Sequence, residues 1–183
     1  MTLATVDQEK IEMSAAQLVF NSIDLGAISG GVVFSYTKTV VPIEIDQSNM
    51  IERHRITAQA CSVTASLSEW NLTLLQHAFS PGTFTLDGSA VKKKIEVGGD
   101  QIAQDLSDYA ELVITPIMDG SATLDTNANL KITIHKAIVT SGIDINFTKD
   151  AQRLIPVTFE GIRDSSKAAG KQLFLIGDST ATA

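Results

Sequence analysis

Metal-binding and thiol chemistry would have to come from His54, His77, His135 and Cys61, the whole imidazole and thiol complement of the chain. They lie far apart in sequence, whereas a zinc site draws several such ligands from short spacings, so no metal centre is expected. There is no Gly-x-Ser-x-Gly elbow, no Walker loop and no glycine run opening a helix after a strand. Nucleophilic hydrolysis and nucleotide binding therefore lack their usual geometric sources. The carboxylate pairs Glu44/Asp46 and Asp105/Asp108 could be brought together for acid/base work on a β scaffold, but they read first as solvated loop charge. Lys92-Lys93-Lys94 and Arg53-His54-Arg55 are short basic clusters without interleaved aromatics to stack on bases. The lysines read as the rim of a hairpin, and the arginine pair invites a partner carboxylate. Neither catalytic residues nor a cofactor are expected, and the chain does not read as an enzyme.

Composition narrows the class further. A net charge of −7 disfavours a protein that holds nucleic acid by neutralising phosphates. The 183 residues are 44% hydrophobic and only 5% aromatic, enough aliphatic content for one ordinary core. A single domain over 1–183 is expected, with polar arms at 1–14 and 177–183. The lone Cys61 forms no intrachain disulfide and reads as a small buried apolar residue. The first residues carry no basic start followed by an apolar run, and no stretch approaches about 18 continuous apolar residues, so neither a signal peptide nor a membrane span is expected.

The elements that would carry these residues are mostly strands. Gly30-Gly31 reads as a turn needing backbone angles that other residues avoid. After it, Phe34, Tyr36 and Val40 alternate with Ser35, Thr37 and Thr39, the period of a strand with two unlike faces. Cys61, Val63, Ala65 and Leu67 alternate with Ala60, Ser62, Thr64 and Ser66 in the same way. A long connection over 42–56 joins the two strands. Ser68 is positioned to cap a helix over 69–79 that ends at Ser80-Pro81-Gly82, with Leu72, Leu75 and Phe79 facing the sheet. Further strands are expected over 83–86, 93–97, 109–118, 130–140, 156–162 and 173–176, separated by glycine turns. In the fourth of these Lys131, Thr133 and His135 alternate with Leu130, Ile132 and Ile134, which would bring positive charge to the polar face. The expected fold is mostly β, a sandwich or barrel with one short flanking helix.

Three features in order, Gly30-Gly31-Val32-Val33-Phe34-Ser35-Tyr36, the polar hairpin, and the stretch from Thr57 to Leu75 with Leu67-Ser68-Glu69, resemble the tail-tube proteins of long-tailed bacteriophages. The order of elements fits from about Leu18 to Ile162. This resemblance implies a structural protein of the virion tail, assembled in the host cytoplasm. It implies subunits that close into hexameric rings, strands that join one inter-subunit barrel, and rings that stack into a tube. The tube of type VI secretion systems has the same plan. Partners would be other copies of the chain, with sheath, tape-measure and baseplate proteins, and DNA would pass as cargo without tight binding. On that plan Ser35, Thr37, Ser62, Thr64, Ser66 and Thr133 face the lumen, and Val33, Cys61, Val63 and Ile132 lie on the dry side. The segment 44–55, with Asp46, Gln47, Met50, Ile51, Glu52, Arg53 and Arg55, would form a loop that leaves the core and stacks on the adjacent ring. A β-sandwich adhesin or carbohydrate-binding module is the alternative; it calls for exposed aromatics on a binding face, where the sequence offers Trp70, placed in the expected helix.

Overall fold

The computed structural model describes residues 14–44, 50–77, 79, 82–89, 91–98, 108–118 and 123–181, without the side chains of Glu44 and Glu52. The fold is mostly β. In chain order the strands are β1 (Ala16–Phe20), β2 (Ile23–Asp24), β3 (Ile28–Glu44), β4 (Ile51–Leu67), β5 (Thr83–Leu86), β6 (Lys93–Glu96), β7 (Ala110–Pro116), β8 (Ile132–Val139), β9 (Ile155–Gly161) and β10 (Phe174–Ile176). Eight of them form one antiparallel sheet in the order β2-β1-β7-β8-β9-β4-β3, with β10 added beside β8, and β5 and β6 form a separate hairpin.

One face of the large sheet carries the core. Leu18 and Phe20 of β1 stand opposite Ile114 and Leu112 of β7, while Val63, Ala65 and Leu67 of β4 stand opposite Phe159, Val157 and Ile155 of β9. All ten are buried. The sheet curls, so that Phe20 packs against Phe159 from three strands away, with ring centroids 5.1 Å apart. A bulge in the β7–β8 pairing, between Ala110↔Ala137 and Leu112↔Ile134, switches the side-chain parity of β8 and keeps both Ile134 and Ala137 in the core.

The helix differs from expectation. α1 spans only Leu72–Leu75, and its N-cap is Asn71, whose side chain accepts from the Thr73 N–H. Ser68 is spent elsewhere: both its N–H and its Oγ donate to the Ala27 carbonyl, tying the end of β4 to the start of β3. Leu75 is buried in the core, as its place on the apolar stripe requires.

The connection between β3 and β4 also differs. In place of a linker over 42–56, the two 17-residue strands stay paired out to Glu44↔Ile51. Valine, threonine and isoleucine recur along both, residues that suit a pleated backbone, and Pro42 is tolerated because β3 is an edge strand. The expected turn at Gly30-Gly31 is a bulge inside β3, both residues having φ above +80°. The first residue of the expected C-terminal arm, Gly177, donates its N–H to the Lys131 carbonyl.

Candidate assembly surface

The β3/β4 hairpin outgrows the sheet that supports it. Pairing of β4 with β9 stops at Cys61↔Gly161, so β4 from Ile51 to Ala60 continues with β3 alone, an arm of about 30 Å at strand rise. Val40, Val41, Met50, Ile51 and Ile56 are exposed on it. Two-stranded ribbons are marginal in water without a hydrophobic cover. Among the described residues β3 pairs with β4 only and no strand pairs its other edge, although β1 approaches part of its length.

Bulges set what each face of the arm presents. Between Thr39↔Ala58 and Val40↔Ile56 the register passes over Thr57, whose Oγ1 donates to the Thr39 carbonyl. Beyond that point Arg55 and Arg53 stand opposite Val41 and Ile43, on the face that carries Ser35, Thr37 and Thr39. The hydroxyl face therefore runs out to two exposed arginines, which strict alternation does not reveal. Ile51, Arg53 and Arg55, expected in a loop, are strand residues, and Met50 lies just before β4. Glu52 also belongs to β4, while Asp46 and Gln47 lie outside the described residues.

Five of the six expected lumen residues form one patch on the face away from the core. Ser35 stands opposite Ser62, Thr37 opposite Ala60, Val33 opposite Thr64, and Ser29 opposite Ser66. β9 extends the patch with Thr158 beside Thr64 and Glu160 beside Ser62. Ser35, Thr37 and Thr64 are exposed, whereas Ser62 and Ser66 are half-buried. Thr133 stands apart on β8, half-buried between Val113 and Leu175, with Lys131 and His135 on its side of that strand. Cys61 and Val63 are buried, as expected for the dry side. Val33 is not: it is 56% exposed, because it shares parity with Ser35. Ile138 opposes Glu160 on the outer face yet is buried, so this face is not uniformly wet.

Cys61, His77 and Asp87 have pKa values shifted by their local surroundings. Burial pushes the Cys61 thiol up, against a smaller opposing pull from its hydrogen bond with the Gly161 backbone. Burial lowers the pKa of His77, opposed by the nearby charge of Asp108, and its ring packs edge-on to Phe20 at 5.7 Å. The carboxylate of Asp87 is held below its usual range by Ser89 Oγ and the N–H groups of Lys92 and Val91, and so closes the β5–β6 turn. Among the described residues no three His, Cys, Asp or Glu side chains gather to hold a metal ion. Asp46 and Asp105, from the two candidate acid pairs, lie outside those residues. No helix among them is long and apolar enough to cross a membrane.

Two aromatic groupings escaped the sequence reading. Phe174 of β10 packs edge-on to both Phe34 and Tyr36, at 5.2 Å each, where the arm leaves the body. A groove of about 700 Å³ opens beside them, lined also by Gln59, Arg163 and Gln172. Arg163 Nε donates to Gln172 Oε1 at 2.8 Å, so the cation in the groove is already engaged. At the other end of β4, Trp70 is outside the helix and is not isolated: the Arg153 guanidinium lies 5.0 Å from its ring and 4.3 Å from that of Phe147. Only residue type marks these partners in the sequence, since the chain separates them by some 80 or 140 positions.

The fold as a whole has a counterpart among solved structures. A chain from the cryo-EM structure of an extracellular contractile injection system, the PVC sheath–tube complex in its extended state, superposes with a TM-score of 0.55. The two chains share a fold. The match covers 87% of this chain and 96% of the other at 10% identity, so the likeness lies in the architecture and not in the side chains. No known protein family and no curated protein matches the sequence.

Proposed function

We propose that this chain is the structural subunit of a tube, assembled from its own copies, in a phage tail or a contractile injection particle. The observation that carries the reading is the β3/β4 arm, whose open edge and exposed aliphatics suit a strand-to-strand contact with another copy. The shared fold with a chain of a sheath–tube complex supports the same role. On this reading subunits close into rings of six, the arms complete a continuous barrel, and rings stack. The Ser35, Thr37, Ser62, Thr64 and Ser66 patch, with Thr133 beyond it, lines the channel. Small hydroxyl groups and a net acidic subunit offer a passing cargo little to hold, while Arg53 and Arg55, and Lys131 beside Thr133, add positive charge to the same lining. Sheath, tape-measure and baseplate proteins would be its partners in the particle. Negative-stain microscopy and sedimentation of the purified protein test this: rings or tubes are expected, and monodisperse monomers at high concentration would overturn it.

A further inference from the structure

One face of the β3/β4 arm gathers hydroxyls and cations. From the body outward it carries Ser35, Thr37 and Thr39 on β3, then Arg55 and Arg53 on β4, opposite Val41 and Ile43. All five polar residues are exposed. The rings of Phe34 and Tyr36 have the other parity and pack on Phe174, so no aromatic stands in this row. Among the described residues the first carboxylate on this face is Glu160, beside Ser62 at the body end. The two arginines lie two residues apart on one strand, about 6.8 Å at strand rise. With Ile43 and His54 they line a recess of about 240 Å³.

We propose that Arg53 and Arg55 are a phosphate-binding pair for a nucleic-acid strand, an inference that rests on the tube reading above for its ligand, the passing cargo. Their interval equals two phosphate steps along one strand, at about 3.4 Å per step. Each guanidinium presents a planar fork to phosphate oxygens, and Thr39, Thr37 and Ser35 continue the row at the same two-residue interval as hydroxyl donors. With no ring in the row to stack on bases, the contacts go to the backbone and carry no sequence preference. Two cations on a subunit of net charge −7 hold weakly and let go as salt rises, so the strand is guided at this level and still slides.

Co-sedimentation of assemblies with a labelled single-stranded oligonucleotide tests the pair. Binding is expected at low salt, with log K falling against log salt at a slope at least as steep as about −1.4, the value for two neutralised phosphates. Arg53→Gln, Arg55→Gln should weaken it about tenfold or more and flatten the slope, and Arg53→Lys, Arg55→Lys should keep most of it. Lys92→Gln, Lys149→Gln removes the same charge from other exposed positions and should leave binding within about twofold. Equal capture by wild-type and glutamine-variant assemblies would overturn the site and leave the tube reading intact. Equal capture of a poly-glutamate peptide, lost in the same variant, would assign the pair to protein carboxylates and overturn the nucleic-acid reading. Protein that never assembles would contradict the tube; anisotropy of the oligonucleotide with subunits then compares the same variants, and no difference between wild type and the glutamine variant would overturn the site as well.

Discussion

Gly161 is where three strands become two, and adding one methyl there should be felt both in stability and at the root of the arm. It pairs with Cys61 on one side and Ala137 on the other. A Cβ at this position would lie 2.9 Å from Ile134 Cγ2 and would overlap Cys61 Sγ. Carbon atoms in contact sit about 3.5–4.0 Å apart, so both neighbours would have to move by the better part of an ångström or more. Both are buried, and overpacking of this kind costs about 1–3 kcal/mol. In a chain of this length that lowers Tm by about 2–4 °C for each kcal/mol. Urea unfolding of dilute subunits, followed by Trp70 fluorescence, measures it. Cys61→Ala alone should cost on the order of 1 kcal/mol. In the Gly161→Ala, Cys61→Ala double variant the new methyl takes up space left by the sulfur, so the two losses should fall short of additivity by about 1–2 kcal/mol. Losses that add to within about 0.5 kcal/mol would refute the steric account.

Leu75→Ala should cost about 2–5 kcal/mol in the same assay, because Leu75 is the residue that seats α1 in the core. Gly30→Ala should cost about 1–2 kcal/mol for a different reason: among the described residues nothing lies within 4 Å of the added Cβ, so the loss is that of an L-residue held at φ +81°. Burial depresses the folded pKa of His77, so the unfolded chain binds more protons; stability should fall as pH drops through about 6.5, level off below the folded pKa, and lose this slope in His77→Gln, read as Tm against pH. Cys61, buried and with its thiol pKa raised, should resist thiol reagents at pH 8 until the chain is unfolded.

Much of the fold was legible because period-two alternation and buried aliphatics say the same thing along Cys61 to Leu67, where every second residue is in the core. The strand readings over 83–86 and 173–176 needed little adjustment, since glycine or proline brackets them. Legibility failed where one local signal had two uses. Ser68 has the chemistry of a helix cap but donates to Ala27 across the sheet, and Asn71 takes the cap. The polar stretch around Pro42 and Arg53 reads as loop because none of the described residues buries it; it is strand because its backbone groups pair with each other. Alternation also cannot see a bulge: Thr57 adds one residue to β4 and moves Arg53 and Arg55 onto the hydroxyl face. The Trp70–Arg153 contact was hidden for a tertiary reason, as β9 must pair with β4 before Arg153 can reach Trp70.

The central claim is that copies of the chain cover the open edge of β3, and hydrogen exchange on that strand tests it most directly. Peptides from β3, from Val32 to Ile43, should exchange quickly in dilute subunits, where β4 alone pairs with them, and become strongly protected in sedimented assemblies as their second edge is paired. Peptides from the core strand β8 should change little. Assemblies in which β3 exchanges as fast as in the isolated subunit would contradict the account.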